Sequence, residues 1–424
     1  MSEKKQYAVG IDLGKKYAQI SYRYLSGEEG EITHVPLCLC KRIGANQWFY
    51  GEEAQRFAAS GKGILIENFY GKDTDRGDDG IMVEEKEMER GELLWLFVRH
   101  CLSRVLPYKE NAEGKSLVIT VESLTEPMLH ELRLIKQKLQ DEFEEISFEP
   151  RMESLFHYVV HQPKELQSYE TCVVDFSHDH LEIYRVEMKQ KTRPVLTSIS
   201  KQVYTNVNIP RQFGSIKDKD AYMAKLDEKM EDVLNGFMEG RIVTSAYLTG
   251  KALEKEWYPE TIKLLCRNRR VFLDSVLYAK GACLGALSRL GHGESEKGYL
   301  YLGEGKLKEH IGVVDMEQGK QTIKILMEGG CNWFEAKTEF LFMPGEDGHL
   351  PIVLKPLNGA KERIVPLVLP DRKERDLKSL RYRCSLSMKS ERELLVQVED
   401  VGFGEFYGPS GKRYEEVILL GGGL

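Results

Sequence analysis

Gly10-Ile-Asp-Leu-Gly14 sets one aspartate between two glycines, at the join of two runs of strand-forming residues. Glycine lets the backbone come close to a phosphate, and an aspartate in such a turn can hold Mg2+ through water. The same residues also fit an Asp-Gly hairpin turn that binds nothing. His178-Asp-His180 is a second arrangement with chemical content, because alternate residues on a strand project to one side and two imidazoles can share a metal. No third ligand stands near it in the sequence, so an ordinary strand-edge pair accounts for it as well. The eight cysteines are scattered, and Cys38-Leu-Cys40 lacks the two-residue spacing of metal knuckles and redox motifs. Buried free thiols are expected instead.

The elements that must position these residues begin with strand-like runs at 7–13, 17–24 and 32–40. They are separated by a Gly-Lys-Lys and a Gly-Glu-Glu-Gly turn, the pattern of a three-strand meander. Helical periodicity follows at 85–105, where Leu93, Leu94, Phe97, Val98 and Leu102 share a face, and 117–121 reads as a short buried strand. Leu129, Leu132, Ile135 and Leu139 mark a further helix, 145–148 a strand, and 154–160 a helix begun after Pro150. A similar order then restarts, with strands at 171–176, 181–187 and 195–204 and a charged helix at 217–238. A strand at 241–249, a helix at 251–265, an extended stretch at 270–273 and a small-residue helix at 275–289 complete it. The restart implies an internal duplication. Residues 291–298 read as a linker. Beyond them, short β-type runs at 298–303, 311–314, 321–326, 340–343, 380–388 and 394–398 predict a β-sandwich.

Taken in order, these residues resemble the seventy-kilodalton heat-shock (DnaK-type) chaperones of the actin-like ATPase superfamily. Gly10-Ile-Asp-Leu-Gly14 followed by Tyr17 is similar to that family's first phosphate loop, and Gly51-Glu-Glu-Ala54 to its glycine-acid-alanine segment. Val118-Ile-Thr-Val121 resembles a strand of its first lobe, and Glu149-Pro150 with Ser154, Leu155 and Tyr158 its connecting motif. Val173-Val-Asp-Phe-Ser177 stands where the second phosphate loop is found. Tyr247-Leu-Thr-Gly250 is similar to the adenosine loop, and Asp274 with Gly281-Ala282 resembles the second connecting helix. These matches run from Tyr7 to Leu290 in the family's order. Past Tyr299 the resemblance to the family's peptide-binding sandwich is looser, carried by Ile311-Gly-Val-Val314, the turn at 329–333 and residues 380–400.

The resemblance implies an α/β fold class: a duplicated, ribonuclease-H-like, two-lobed actin-type nucleotide-binding domain with lobes at 1–168 and 169–292, followed by an all-β sandwich at 299–424. It implies ATP or ADP with Mg2+ as cofactor and Asp12, Glu149 and Asp175 at catalytic positions, Asp12 and Asp175 holding Mg2+ through water. Nucleotide contacts are implied at Gly10, Asp12, Gly14, Lys15, Lys16, Ser177, Gly250 and Lys251. Helix capping and turn formation are the structural alternatives for the acids, and solvated surface positions for the lysines.

The sequence also departs from the family. Lys15 and Lys16 stand in place of two threonines, and Glu67 falls where a lysine is expected. The second loop reads Ser177-His-Asp-His180 instead of glycines and a threonine, and Lys251 replaces a second glycine. Side chains crowd a phosphate wall, and Asp179 adds a repulsion on the order of 1 kcal/mol at short range. The segment from Tyr204 to Arg241 is short for the family's second-lobe insertion, and the sequence ends at Leu424 without the helical lid. Two functions are therefore expected. One is a chaperone-like ATP-binding protein whose nucleotide state biases a β-domain that binds protein or peptide, with weak or no hydrolysis. The other is a catalytically inactive actin-fold scaffold or regulator acting through protein–protein contacts. A sugar or small-metabolite kinase is less favoured, since no general base in a substrate loop is evident. Charges of both signs are interspersed at a net charge of -7, which argues against nucleic acid as a partner. No apolar run approaches the roughly 18 residues of a membrane helix, and no secretory signal precedes the first strand, so a cytoplasmic protein without membrane contact is expected.

Overall fold

The computed structural model describes residues 4–70, 80–110, 112–177, 179–210, 213, 215–317, 320–344, 348–369, 380–402 and 408–421. The chain is a mixed α/β protein that divides into two compact units, Met1–Leu300 and Tyr301–Leu424. Among the described residues, no helix is long and apolar enough to cross a membrane.

The first unit opens with β1 (Gln6–Leu13), β2 (Tyr17–Tyr24) and β3 (Glu29–Pro36). Every residue of β1 after Gln6 is buried, as a central strand covered on both faces requires. The third strand stops at Pro36, which has no N–H to continue a ladder. The chain then enters a separate small sheet of β4 (Leu39–Arg42), β5 (Trp48–Tyr50) and β6 (Gly63–Ile66), with α1 (Gly51–Ala59) between the last two strands. The single run expected at 32–40 is thus two strands in two sheets. The hairpin of β7 (Ile81–Val83) and β8 (Lys86–Met88) takes the residues where the helix was expected to begin, so α2 (Arg90–Arg104) starts later. Next come α3 (Leu106–Lys109), β9 (Glu113–Val121), α4 (Glu126–Leu139), β10 (Phe143–Pro150) and α5 (Arg151–Val160). The Thr125 side chain accepts from Met128 N and caps α4, whose first turn holds Pro127.

The second half of this unit contains β11 (Glu170–Phe176), β12 (Leu181–Lys189), β13 (Val195–Tyr204), α6 (Ile216–Met238) and β14 (Val243–Thr249). It ends with α7 (Pro259–Leu265), β15 (Arg270–Leu273) and α8 (Leu277–Leu287). The helix expected over 251–265 is interrupted. Lys251–Glu254 is one 3-10 turn, and Pro259 starts α7 because a proline is tolerated only in a helix's first turn.

The two main sheets repeat one strand order. The first runs β10-β9-β1-β2-β3, and five strands of the second run β15-β14-β11-β12-β13. In each, the first three strands form an antiparallel meander, the fourth pairs in parallel with the meander's first strand, and the fifth pairs in parallel with the fourth. The helices that follow the last strand of each sheet, α5 and α8, cross closely. A Cβ placed on Gly281 would lie 1.9 Å from the Ser154 carbonyl oxygen, so only glycine fits there. The 291–298 segment, expected as a linker, is instead a π turn over Ser288–His292 followed by a 3-10 turn over Glu294–Glu296. The chain then passes through β16 (Tyr299–Tyr301).

In the second unit the described elements are strands, apart from one 3-10 turn at Trp333–Glu335. They are β17 (Glu309–Glu317), β18 (Lys320–Met327), β19 (Lys337–Phe342), β20 (His349–Pro356), β21 (Arg363–Val368), β22 (Tyr382–Ser390), β23 (Glu393–Asp400) and β24 (Arg413–Leu419). They form two antiparallel sheets, β18-β17-β20-β21 and β19-β22-β23-β24. Ile311, Ile352 and Leu354 of the first sheet and Cys384, Leu386 and Val396 of the second share one apolar core. Six of the eight cysteines are buried, whereas Cys266 and Cys331 are exposed, contrary to the expectation of burial for all.

Candidate functional site

The repeated sheet order gives Asp12 and Asp175 equivalent places. Each is the last residue but one of its sheet's first strand, and each lies opposite a threonine of the parallel neighbour, Thr120 for Asp12 and Thr249 for Asp175. The β1–β2 turn carries Gly14, Lys15 and Lys16, and the β11–β12 turn carries Ser177, Asp179 and His180. All of these residues line one cavity of about 350 Å3, together with Gly250, Lys251, Glu122, Glu131 and Tyr278.

The residue that organises the cavity is one the sequence reading passed over. Arg151, the first residue of α5, donates from Nε to Asp12 Oδ1 (2.8 Å) and from Nη2 to Asp12 Oδ2 (2.9 Å), a bidentate pair that occupies both carboxylate oxygens. Its guanidinium also lies 4.9 Å from the Tyr278 ring. Burial alone would lower the Arg151 pKa, but Asp12, and more weakly Asp175, hold it well above the usual value. Asp175 accepts from the Tyr278 hydroxyl at 2.9 Å. Burial pushes the Asp175 carboxyl up to about 6, with Arg151 pulling the other way and Glu182 adding to the rise. A Cβ on Gly250, whose φ is +97°, would lie 2.6 Å from Asp175 Oδ1, so glycine at that turn lets the aspartate in.

The remaining cations are also engaged. Lys15 pairs with Glu122 at 2.9 Å, and Lys16 pairs with Asp179 across the two turns. Lys251 sits 4.0 Å over the Tyr17 ring, and Lys201 reaches Glu182 at 3.3 Å. The cavity wall carries six carboxylates (Asp12, Glu122, Glu131, Asp175, Asp179 and Glu182) against four permanent cations (Lys15, Lys16, Arg151 and Lys251). A nucleotide triphosphate would add negative charge to a wall already short of cations. A water-shelled Mg2+ needs carboxylate oxygens open to its bound waters. Asp12 has both oxygens on Arg151 and so does not fit that ion, and Asp175 has Oδ2 bonded to the Tyr278 hydroxyl.

The other sequence-derived positions fall as follows. Gly10 is a packing glycine: a Cβ there would lie 2.2 Å from Cys283 N and 2.4 Å from Ala279 O of α8. Ser177 lines the cavity and donates to the His180 carbonyl at 3.3 Å. Glu67 is exposed and not part of the cavity wall. His178 lies outside the described residues, and His180 Nε2 faces Glu182 at 3.3 Å. Asp274 accepts from Tyr158 and Lys280. Glu149, expected at the phosphate end, stands outside the cavity. It is fully buried, accepts from Ser154 Oγ at 2.6 Å and from Arg289 Nη2 at 3.1 Å, and does not reach the position that the chaperone resemblance assigns to it.

A family model described as a family of unknown function (DUF5716), C-terminal, matches residues 22–304, and one described as a domain of unknown function (DUF8552) matches residues 306–420. No curated protein matches the chain. Among solved structures, a non-polymerising mutant of MamK bound to AMPPNP is similar at a TM-score of 0.40 and 11% identity, over 68% of this chain and 99% of that one. Similarity of that degree carries no argument about fold or ligand.

Proposed function

The chain belongs to the family of unknown function (DUF5716), C-terminal, whose model spans well over half of it, and from that premise we propose a catalytically inactive actin-type scaffold. Its two-lobed cleft is held by internal ion pairs, and it acts through protein–protein contacts. The repeated sheet order and the crossing of α5 and α8 support the two-lobed reading. One observation carries the inactive reading: Arg151 binds Asp12 bidentately, on the carboxylate that the chaperone resemblance gives to Mg2+. A guanidinium built into α5 supplies locally the positive charge that a metal would bring. A nucleotide switch would have to break this pair first, and removing one partner of a buried pair costs about 3–5 kcal/mol.

The test is a calorimetric titration of Mg·ATP into the 424-residue chain and into Asp12→Ala and Arg151→Met, with urea unfolding of the same proteins. No binding heat is expected at millimolar nucleotide. Each single variant is expected to lose about 3 kcal/mol of stability, and the double variant less than the sum, because each single change strands one buried charge. Were Asp12 a metal-holding residue, its removal would relieve repulsion from Asp175 and leave the nucleotide-free protein at least as stable. That result, together with micromolar binding of Mg·ATP by the wild type, would overturn the proposal in favour of the ATP-coupled chaperone reading.

A further inference from the structure

We propose that the outer face of the β18-β17-β20-β21 sheet docks one amphipathic helix of a partner protein, apolar along its centre and acidic along its border. Cross-strand register builds the face. Gly312 lies opposite Ile325 on one side and Val353 on the other, and Val353 lies opposite Ile364. In the neighbouring rows Val314 lies opposite Ile323, Pro351 opposite Pro366, and His349 opposite Val368. Paired residues share a face, and the residues that alternate with them, among them Ile311, Val313, Ile352 and Leu354, belong to the sandwich core. The paired positions therefore point away from that core, and yet they are apolar. Ile323 is 40% exposed, Ile325 38%, Ile364 51% and Val368 59%.

An antiparallel sheet with one face in water alternates apolar inside and polar outside. The second sheet of the same sandwich does so. Glu339, Ser385, Gln397 and Glu415 form one of its outward rows, in which Ser385 Oγ donates to Glu339 and Gln397 Nε2 to Glu415, each at 3.2 Å. In the next row Arg413 Nε donates to Glu399 at 3.1 Å. The β18-β17-β20-β21 sheet has no such surface. Four strands about 4.8 Å apart and three outward residues long give an apolar area of roughly 20 Å by 20 Å, the size of patch that marks an interaction site.

Backbone geometry and charge select the occupant. Pro351 and Pro366 face each other without an N–H on either, so the Pro366 nitrogen is turned to the free edge of β21 and takes a donor from any strand added there. A sheet face is covered by helices, and about 13 helical residues span 20 Å. Gly312, with no side chain between Ile325 and Val353, leaves a trough for a helix ridge. At the border Lys355 lies opposite His310, whose Nδ1 accepts from Gly329 N at 3.2 Å, so its Nε2 is an N–H donor. Among the described residues, no outward position of the four strands is Asp or Glu. The face thus asks for carboxylates beside an apolar stripe. A second copy brings the same border without them, and two such faces would bury only about 800 Å2, short of a stable dimer. A helix covering a similar area makes a transient contact. This surface goes beyond the scaffold reading and stands whether or not the cavity takes nucleotide.

The probe is a fluorescein-labelled helical peptide of about 18 residues, with leucine along one stripe and glutamate on both borders, beside a twin that has lysine for glutamate. The 424-residue chain is expected to bind the glutamate peptide with a Kd of about 10–100 μM by anisotropy, and the lysine twin about tenfold more weakly. Ile325→Ser and Ile364→Ser, at exposed positions outside the core, are expected to weaken the first peptide about tenfold with urea unfolding unchanged. Lys355→Glu is expected to reverse the order of the two peptides. The proposal fails if wild type binds neither peptide at millimolar concentration, or binds both alike with no effect of the three variants. It fails in favour of a second copy if the wild type sediments as a dimer that Ile364→Ser dissociates. It fails in favour of a lipid surface if the wild type, but not Ile364→Ser, cosediments with phosphatidylserine vesicles. None of these results bears on the cavity, which the Mg·ATP titration tests separately.

Discussion

Asp175 is the titrating group of the cavity, and its protonation can be read in stability. Burial raises its carboxyl from the ordinary 3.8 to about 6, against the pull of Arg151. Between those values the folded state keeps a proton that the unfolded chain has released. The sign follows: this contribution is complete below about pH 4 and is lost as pH rises through about 6. Asp175→Asn stays neutral throughout, so it is expected to match the wild type at pH 4 and to exceed it by roughly 2–3 kcal/mol at pH 7. Urea unfolding across that range measures the difference, and equal slopes for the two proteins would mean that Arg151 keeps Asp175 ionised. The two aspartates of the site were legible because each ends an apolar strand beside a turn. Arg151 was not, although a cation in the first turn of a helix runs against the helix dipole and is itself a signal. Asp12 overrides that cost. Glu149 was legible as the glutamate before a helix-opening proline, but a motif does not say which way a strand residue points, and this one turns into the helix crossing instead of the cavity.

The glycines separate two explanations of one motif. If the first loop were built to wrap phosphate, Gly10 and Gly14 would be needed for the same reason. In the fold, Gly10 is fixed by the backbone of α8, and Gly281 by the Ser154 carbonyl, whereas Gly14 meets the tip of Arg151 at 2.8 Å and the Tyr17 carbonyl at 2.9 Å within its own turn. Backbone cannot yield as a side-chain tip can. Gly281→Ala and Gly10→Ala are therefore expected to cost about 3 kcal/mol or more, and Gly14→Ala about 1 kcal/mol, in urea unfolding. Similar losses at all three positions would show that helix packing does not set the requirement. Element type was readable wherever burial was continuous or one-faced, as in β1, β2, β13 and α4. Boundaries slipped where a proline acts, at Pro36 and Pro259. The strands β20 and β21 escaped notice because Pro351, Pro356 and Pro366 interrupt their pattern, and β24 because as an edge strand it buries only Ile418.

At the scale of the whole chain, contact density and sequence similarity divide the protein at nearly the same place. The compact units part at Leu300 and Tyr301, and the two matched models part at residues 304 and 306. A linker was expected a little earlier, at 291–298, from its glycines and charges. Sequence alone could not show that Glu296 is anchored on His157, since that contact joins residues 139 positions apart. The second unit has what independent folding needs. Its core residues, from Leu307 to Leu420, come from both of its four-stranded sheets and pack on one another. A fragment of residues 301–424 is therefore expected to unfold in one cooperative urea transition, with coincident far-ultraviolet and fluorescence curves, the latter read from the buried Trp333. A broad, probe-dependent transition with dye binding already present without denaturant would mark a loosely packed state. In that case the core of this unit would depend on the first 300 residues, and the boundary would separate two sequence families without separating two folding units.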